Sequence, residues 1–313
     1  MSEMVVRENS EKGSGTDEVT FPEILGYLIE RKLLVFGALI FSIIFSIVYA
    51  QQQPNIYTST AYLAPKNPDS GSGGLSQVAS RLSGVASLAG LSLPGGSDTL
   101  KIDVAVATLQ SRTFFAEYLY EKILPELMAA ESWDRATGEL LLDYEVIDNG
   151  GVWIRESSLG SKPTVQEAYK MFSQFHLSVF SEVGSPFWSV SVSHISPTVA
   201  KDWVELTVKS LNEAVRKQDI DEAQKSIAFL QTQLSSTKLV NLNEIFAQLI
   251  EEQTKKMMLA SVSDDYVFQV IDEPVVPEIK SGPQRALICI AGTLFGLFAS
   301  IFLSILAGLI GRQ

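Results

Sequence analysis

LLVFGALIFSIIFSIVYA, residues 33–50, and ALICIAGTLFGLFASIFLSILAGLI, residues 286–310, are uncharged apolar runs near opposite ends of a 313-residue chain. A helix needs about 20 apolar residues to cross the hydrocarbon core of a bilayer. Only a helix or a closed barrel satisfies the backbone there. The second run exceeds that length, and the first reaches it together with an amphipathic lead-in from Phe21. Two spans with short outer tails put both termini on one side of a membrane and residues 51–285 on the other. Arg31 and Lys32 precede the first run, Arg312 follows the second, and residues 51–65 carry no Lys or Arg. By the positive-inside rule the termini are cytoplasmic, although Lys280 and Arg285 stand against it. A cleaved signal peptide ending at Val48-Tyr49-Ala50 would need an apolar region beyond the usual 7–15 residues, so an uncleaved anchor is expected.

The formal net charge is −12, and the segment between the runs is itself acidic. This argues against nucleic acid and anionic lipid headgroups as main partners. The lone cysteine, Cys289, lies in the second run, so neither structural disulfides nor a thiolate metal site is expected. His176 and His194 are too few and too far apart to suggest a metal cluster and read as surface or internally satisfied side chains. No phosphate-cradling glycine loop occurs. Asp264-Asp265 and Glu251-Glu252 read as solvated faces, and no nucleophile, base and orienting group can be assembled. The expectation is a protein without cofactor, metal or catalytic residues. A two-span ligand sensor would need a cytoplasmic output domain, for which the outer tails leave no room.

Thr20, Pro22 and Glu23 open a helix with a capping box that runs through Leu25, Leu28 and Ile29 into the first run. Ile56–Ala64 reads as a strand ending at Pro65. The Gly/Ser/Ala-rich stretch 70–96 is either a mobile loop or a small amphipathic helix. Asp103–Leu124 has helical spacing with Val106, Leu109, Phe114, Phe115 and Leu119 inward. Trp153–Arg155 suggests a short strand, Thr164–Phe175 a helix, and Trp188–Ile195 a two-faced strand whose Trp188, Val190, Val192 and His194 alternate with serines. Ser196 and Pro197 suit the N-cap and first position of a long helix over about 197–260, which has no Pro or Gly after Pro197. Its stripe comprises Val204, Val208, Leu211, Val215, Ala223, Ile227, Leu230 and Leu234, then Leu242, Ile245 and Leu249. Two or three helices broken near Ser235–Lys238 are the alternative. A continuous helix would reach roughly 90 Å and could not bury that stripe against so small a base, so several copies side by side are expected. Tyr266–Asp272 reads as a closing strand.

Pro274, Pro277 and Pro283 stiffen the approach to the second run, with Arg285 at its start. Within that run Gly292, Gly296, Ser300, Ser304 and Gly308 recur every four residues, as do Ala38, Ser42, Ser46 and Ala50 in the first. Small residues at that spacing let helix backbones approach closely, within one chain or between chains.

The proline approach to a glycine-bearing apolar run is the most specific part of a resemblance that covers nearly the whole chain. Supporting it are the Phe21–Leu34 lead-in, the Ile56–Tyr62 strand, the Leu109-Gln110-Ser111-Arg112 segment inside its helix, and Ser196-Pro197. The chain resembles the Wzz chain-length determinants, the polysaccharide co-polymerases of Gram-negative inner membranes. Gly74–Leu93 also looks like sequences in larger relatives fused to a tyrosine autokinase, and the class indicated here is the short one without it. The resemblance implies a membrane-proximal α/β base, a long periplasmic helix, and side-by-side assembly into a ring or bell. It further implies regulation of O-antigen chain length with a Wzy-type polymerase, with lipid-linked polysaccharide nearby and no chemistry of its own. A capsule or exopolysaccharide export component is the alternative within the family. The expected class is an α+β membrane protein, with two transmembrane helices flanking a periplasmic α/β domain that carries a long extended helix. Its expected parts are a cytoplasmic tail and lead-in (1–32), a span (33–50), a periplasmic domain (51–285), a span (286–310) and a cytoplasmic end (311–313).

Overall fold

A computed structural model describes residues 32–66, 97–158, 160–182, 184–236, 240–263 and 265–310. The capped lead-in at Thr20–Glu23 and the 70–96 stretch lie outside them. The chain divides into two units, one formed by its two ends (1–53 and 283–313) and one by residues 54–282.

The first unit holds helix α1 (Lys32–Gln52) and the last helix of the chain, Arg285–Ile310. Among the described residues only Arg285–Ser304 is long and apolar enough to cross a membrane, and the apolar part of α1, Phe36–Gln52, is shorter. Its expected extension from Phe21 falls in the part not described.

The second unit begins with β1 (Tyr57–Pro65) and α2 (Ser97–Leu109). A helical run over 112–128, α3, contains a π turn at Phe115–Leu119. A small hairpin of β2 (Ala130–Trp133) and β3 (Leu140–Leu142) follows. Next come α4 (Val165–Met171), prolonged by a π turn at Phe172–His176, then β4 (Leu177–Ser181) and β5 (Trp188–His194). The unit closes with α5 (Pro197–Ser236), α6 (Val240–Val262) and β6 (Phe268–Asp272). The terminal helix is therefore α7.

Strands β4-β5-β1-β6 form one antiparallel sheet in that order. The period-2 alternation sorts its faces. Tyr57, Ala61, Leu63, Val190 and Val192 are buried on one side, under Trp203, Val204, Val208 and Leu211 of α5. Phe115 and Phe172, the first residues of the two π turns, stack 5.3 Å apart in the same core. Thr58, Thr60, Tyr62, Ser189, Ser191 and Ser193 occupy the opposite face. Asn212, buried in the middle of α5, accepts from Val267 N and Phe268 N and donates to Phe268 O, which fixes the start of β6.

Four expectations change. The helix over 103–124 is broken: α2 ends at Leu109, and the Ser111 hydroxyl accepts from Phe114 N at 3.1 Å to cap a new start. The segment Leu109-Gln110-Ser111-Arg112 is a junction rather than a helix interior, because serine offers the backbone a better cap than a continuation. Trp153 makes one isolated bridge to Ile147 instead of a strand.

The helix expected over 197–260 is a pair. α5 carries the long element, 40 residues or about 60 Å, and α6 returns along it. Lys256 Nζ lies 3.0 Å from Asp219 Oδ1, and Arg216 donates to Ser263 O. A continuous helix would hold residues 219 and 256 about 55 Å apart. At the end of α5 the hydroxyls of Thr232, Ser235 and Ser236 bond back to the carbonyls of Ala228, Thr232 and Gln233. This competition weakens helix continuation. The turn itself, at 237–239, is outside the described residues. On α6 the inward stripe is Phe246, Ile250, Met257 and Ala260. Leu242, Ile245 and Leu249, expected to be buried, are exposed (38, 50 and 38 %).

Strands β2, β3 and β4 were not foreseen. In the hairpin, Asp134 Oδ1 accepts from Ala136 N, and Gly138 supplies the positive φ of 74° that the turn requires.

Candidate functional site

The small residues of the two terminal helices meet. Ser42 Oγ donates to Gly292 O at 2.8 Å and Ser46 Oγ to Ile288 O at 3.1 Å, so α1 and α7 run antiparallel. Ser46, Ala50, Ser300 and Ser304 are buried, and Ala38, Ser42 and Gly292 are half-buried beside them. A Cβ added at Gly292 would lie 2.7 Å from Ser46 Cβ, and one at Gly296 would meet Ser42 closer still. Gly308 lies in the last turns of α7. The contact is thus within one chain, a choice that small-residue spacing left open. Phenylalanines and isoleucines point outward from both helices, Phe41 and Phe295 being 71 % and 76 % exposed.

The proline segment is divided between the units. Pro274 is buried and Pro277 half-buried. The chain that bears them is tied to the start of β1: Ser59 Oγ donates to Val275 O, Ile56 N to Gly282 O, and Ser281 N to Ile56 O. Thr58 and Ser281 share a hydroxyl bond of 2.7 Å. In the other unit Pro283 precedes α7, and Arg285 donates to Gln53 O at 3.3 Å, joining the end of α1 to the start of α7. The prolines lack backbone donors and fix φ along this stretch.

His176 and His194 are packed against Trp203 rather than arranged as ligands. Ser196 N donates to His194 Nδ1, so Nε2 carries the proton and donates to Glu126 O. Burial disfavours the imidazolium in both rings and lowers the pKa of His194 to about 4. Among the described residues no group of three or more His, Cys, Asp or Glu is placed to hold a metal. Glu251 and Glu252 lie on α6, Asp264 falls outside the described residues, and Asp265 lines a cleft of about 650 Å³ between α5 and the sheet edge. Cys289 is a free, half-buried thiol in α7.

Two apolar terminal helices and an α/β unit with a 40-residue helix define a mixed α/β protein with surfaces suited to packing. Residues 17–121 match the model of the Wzz family, described as chain length determinant protein. The family matched is the one the sequence resembles. Similar solved structures include a full-length bacterial polysaccharide co-polymerase, at 13 % identity over 94 % of this chain and 99 % of that one, with a TM-score of 0.40. Another is a fragment of WzzB, a polysaccharide co-polymerase from Salmonella Typhimurium, at 17 % identity over 73 % and 100 %, with a TM-score of 0.31. No curated protein sequence matches.

Proposed function

We propose that the protein regulates polysaccharide chain length without catalysing a reaction, as a homo-oligomer in the inner membrane working with a Wzy-type polymerase of O-antigen assembly. The family match over residues 17–121 carries this reading. Residues 33–50 and 286–310 are its two spans, paired within the protomer by the seam of Ala38, Ser42, Ser46 and Ala50 with Gly292, Gly296, Ser300 and Ser304. Residues 51–285 lie in the periplasm, and residues 1–32 and 311–313 lie in the cytoplasm. Pro274, Pro277, Pro283 and Arg285 hold the chain in register as it leaves the α/β unit for the second span. Assembly no longer rests on an unburied 90 Å stripe, since α6 covers much of α5. It is supported instead by the exposed row Leu242, Ile245 and Leu249 at heptad-like spacing.

The test is a lipopolysaccharide gel of a strain lacking the gene, with and without the plasmid-borne wild type. A modal cluster of O-antigen lengths that vanishes on deletion and returns on complementation is the expected result. An unchanged ladder, with surface capsule lost instead, would replace length regulation by export.

A further inference from the structure

A cleft of about 430 Å³ opens on the face of the sheet that α5 does not cover. One rung of the sheet runs Phe180, Ser189, Tyr62, Asp272 across all four strands. Phe180 and Tyr62 flank the β5 serine, so their rings rise about 9–10 Å apart, two strand spacings. Both rings are exposed, at 63 % and 51 %, and Phe187 beside them is 50 % exposed. The floor between the walls is polar: Ser189 Oγ donates to Phe180 O. Away from the rings the floor continues as paired hydroxyls, Thr60 with Ser191 and Thr58 with Ser193, each at 2.8 Å. Thr58 is shared further with Ser281, while Thr60, Ser191 and Ser193 keep acceptor capacity beyond the bond named. Glu182 and Asp272 line the cleft, and among the described residues no Lys or Arg does.

Walls of aromatic face, a hydroxyl floor and two carboxylates match one ligand chemistry. The C–H face of a pyranose ring stacks on an aromatic side chain as other apolar edges do, and vicinal sugar hydroxyls donate to a carboxylate in charge-assisted bonds. The volume lies within the range of small-molecule sites. The two carboxylates repel phosphates and uronic acids. A protein partner would have to cover the hydroxyl strip without gaining apolar area from it. We propose that this cleft is a saccharide-binding site for neutral or amino sugars, with Tyr62 and Phe180 as stacking walls and Asp272 as hydroxyl acceptor. The site rests on the reading of the protein as a polysaccharide chain-length regulator, whose glycan would lie along the strip.

Full-length protein in nanodiscs is titrated with the host's own surface polysaccharide, released from lipid by mild acid, and with polygalacturonate, using saturation-transfer NMR. The released polysaccharide should bind and polygalacturonate should not. Tyr62→Ala, Phe180→Ala and Asp272→Asn should each weaken binding at least fivefold, while Tyr62→Phe retains it. If Tyr62→Ala fails to fold, the exposed Phe180 and Asp272 still carry the comparison. Absence of binding by the wild type, binding unchanged in all three variants, or a change of oligomeric state in their place overturns the site. Polysaccharide profiles separate this from failure of the function. A deletion that alters lengths, with no saccharide bound at the cleft, sinks the site alone. A deletion that alters nothing, with the cleft still binding, sinks length regulation alone.

Discussion

His194 and Asn212 show how single polar side chains are tolerated inside this unit. Both are buried with their hydrogen bonds made. The two nitrogens of His194 are committed to Glu126 O and Ser196 N, and its neighbours His176 and Trp203 bring no counter-charge. Glu126 contributes its carbonyl to the ring and its carboxylate to Trp203 Nε1 at 2.7 Å. The unfolded chain therefore takes up a proton near pH 6.5 that the folded ring accepts only near 4. Stability should be complete above pH 7 and fall as pH drops from about 6.5 towards 4, by about 3 kcal/mol for this group. Urea midpoints at pH 7.5 and 5 would check it, and His194→Gln should flatten the difference. Asn212→Ala should cost about 2–4 kcal/mol, since it strands two buried N–H groups and a carbonyl. Equilibrium unfolding measures that. Neither role was legible in the sequence. Asn212 interrupts the apolar stripe of α5 and reads as a solvent position until Val267 and Phe268, 55 residues on, are placed against it.

Packing between helices decides two further outcomes. In the α1/α7 seam a side chain at Gly292 or Gly296 would displace Ser46 or Ser42. Gly292→Leu and Gly296→Leu should lower thermal stability in detergent, by about 1–3 kcal/mol of overpacking, and, on the proposed function, weaken length control. Ser42→Ala and Ser46→Ala each remove one hydroxyl bond and should each cost less, about 0.6 kcal/mol. A melting series of the four variants ranks them. In the α5/α6 hairpin, Asp219 accepts from both Lys256 Nζ and Tyr266 OH. Asp219→Ala should speed amide exchange across 240–262 and leave the sheet protected, a loss of about 1–2 kcal/mol given the partial exposure of the pair. Hydrogen-exchange mass spectrometry reads this directly. Small-residue spacing identified the seam because period-4 repetition survives in a single helix. It could not choose between a partner in the same chain and one in another.

Assembly of whole chains is the remaining level. α6 carries two apolar rows, and α5 can cover one. The row left outside, Leu242, Ile245 and Leu249, should lie between copies, so Ile245→Glu should shift the protein to smaller species in mass photometry while its circular dichroism stays unchanged. Retention of the full assembly would remove that row from the interface.

Strands β1, β5 and β6, the start of α5, the apolar ends and the alternating serines of β5 could be read along the chain, because period 2 and period 3.6 are properties of local sequence. The resemblance could be read for the same reason: Pro274, Pro277, Pro283 and Arg285 lie close together along the chain. Which of two apolar rows is buried on α6, whether the chain breaks at Ser235–Lys238, the place named for it, and which residues assemble the aromatic cleft could not. Each depends on contacts between distant segments: 219 with 256, 212 with 268, and 180 with 62 across 189. Such contacts form only when the competing burial of several elements is settled together, and periodicity along one element carries no information about its partner.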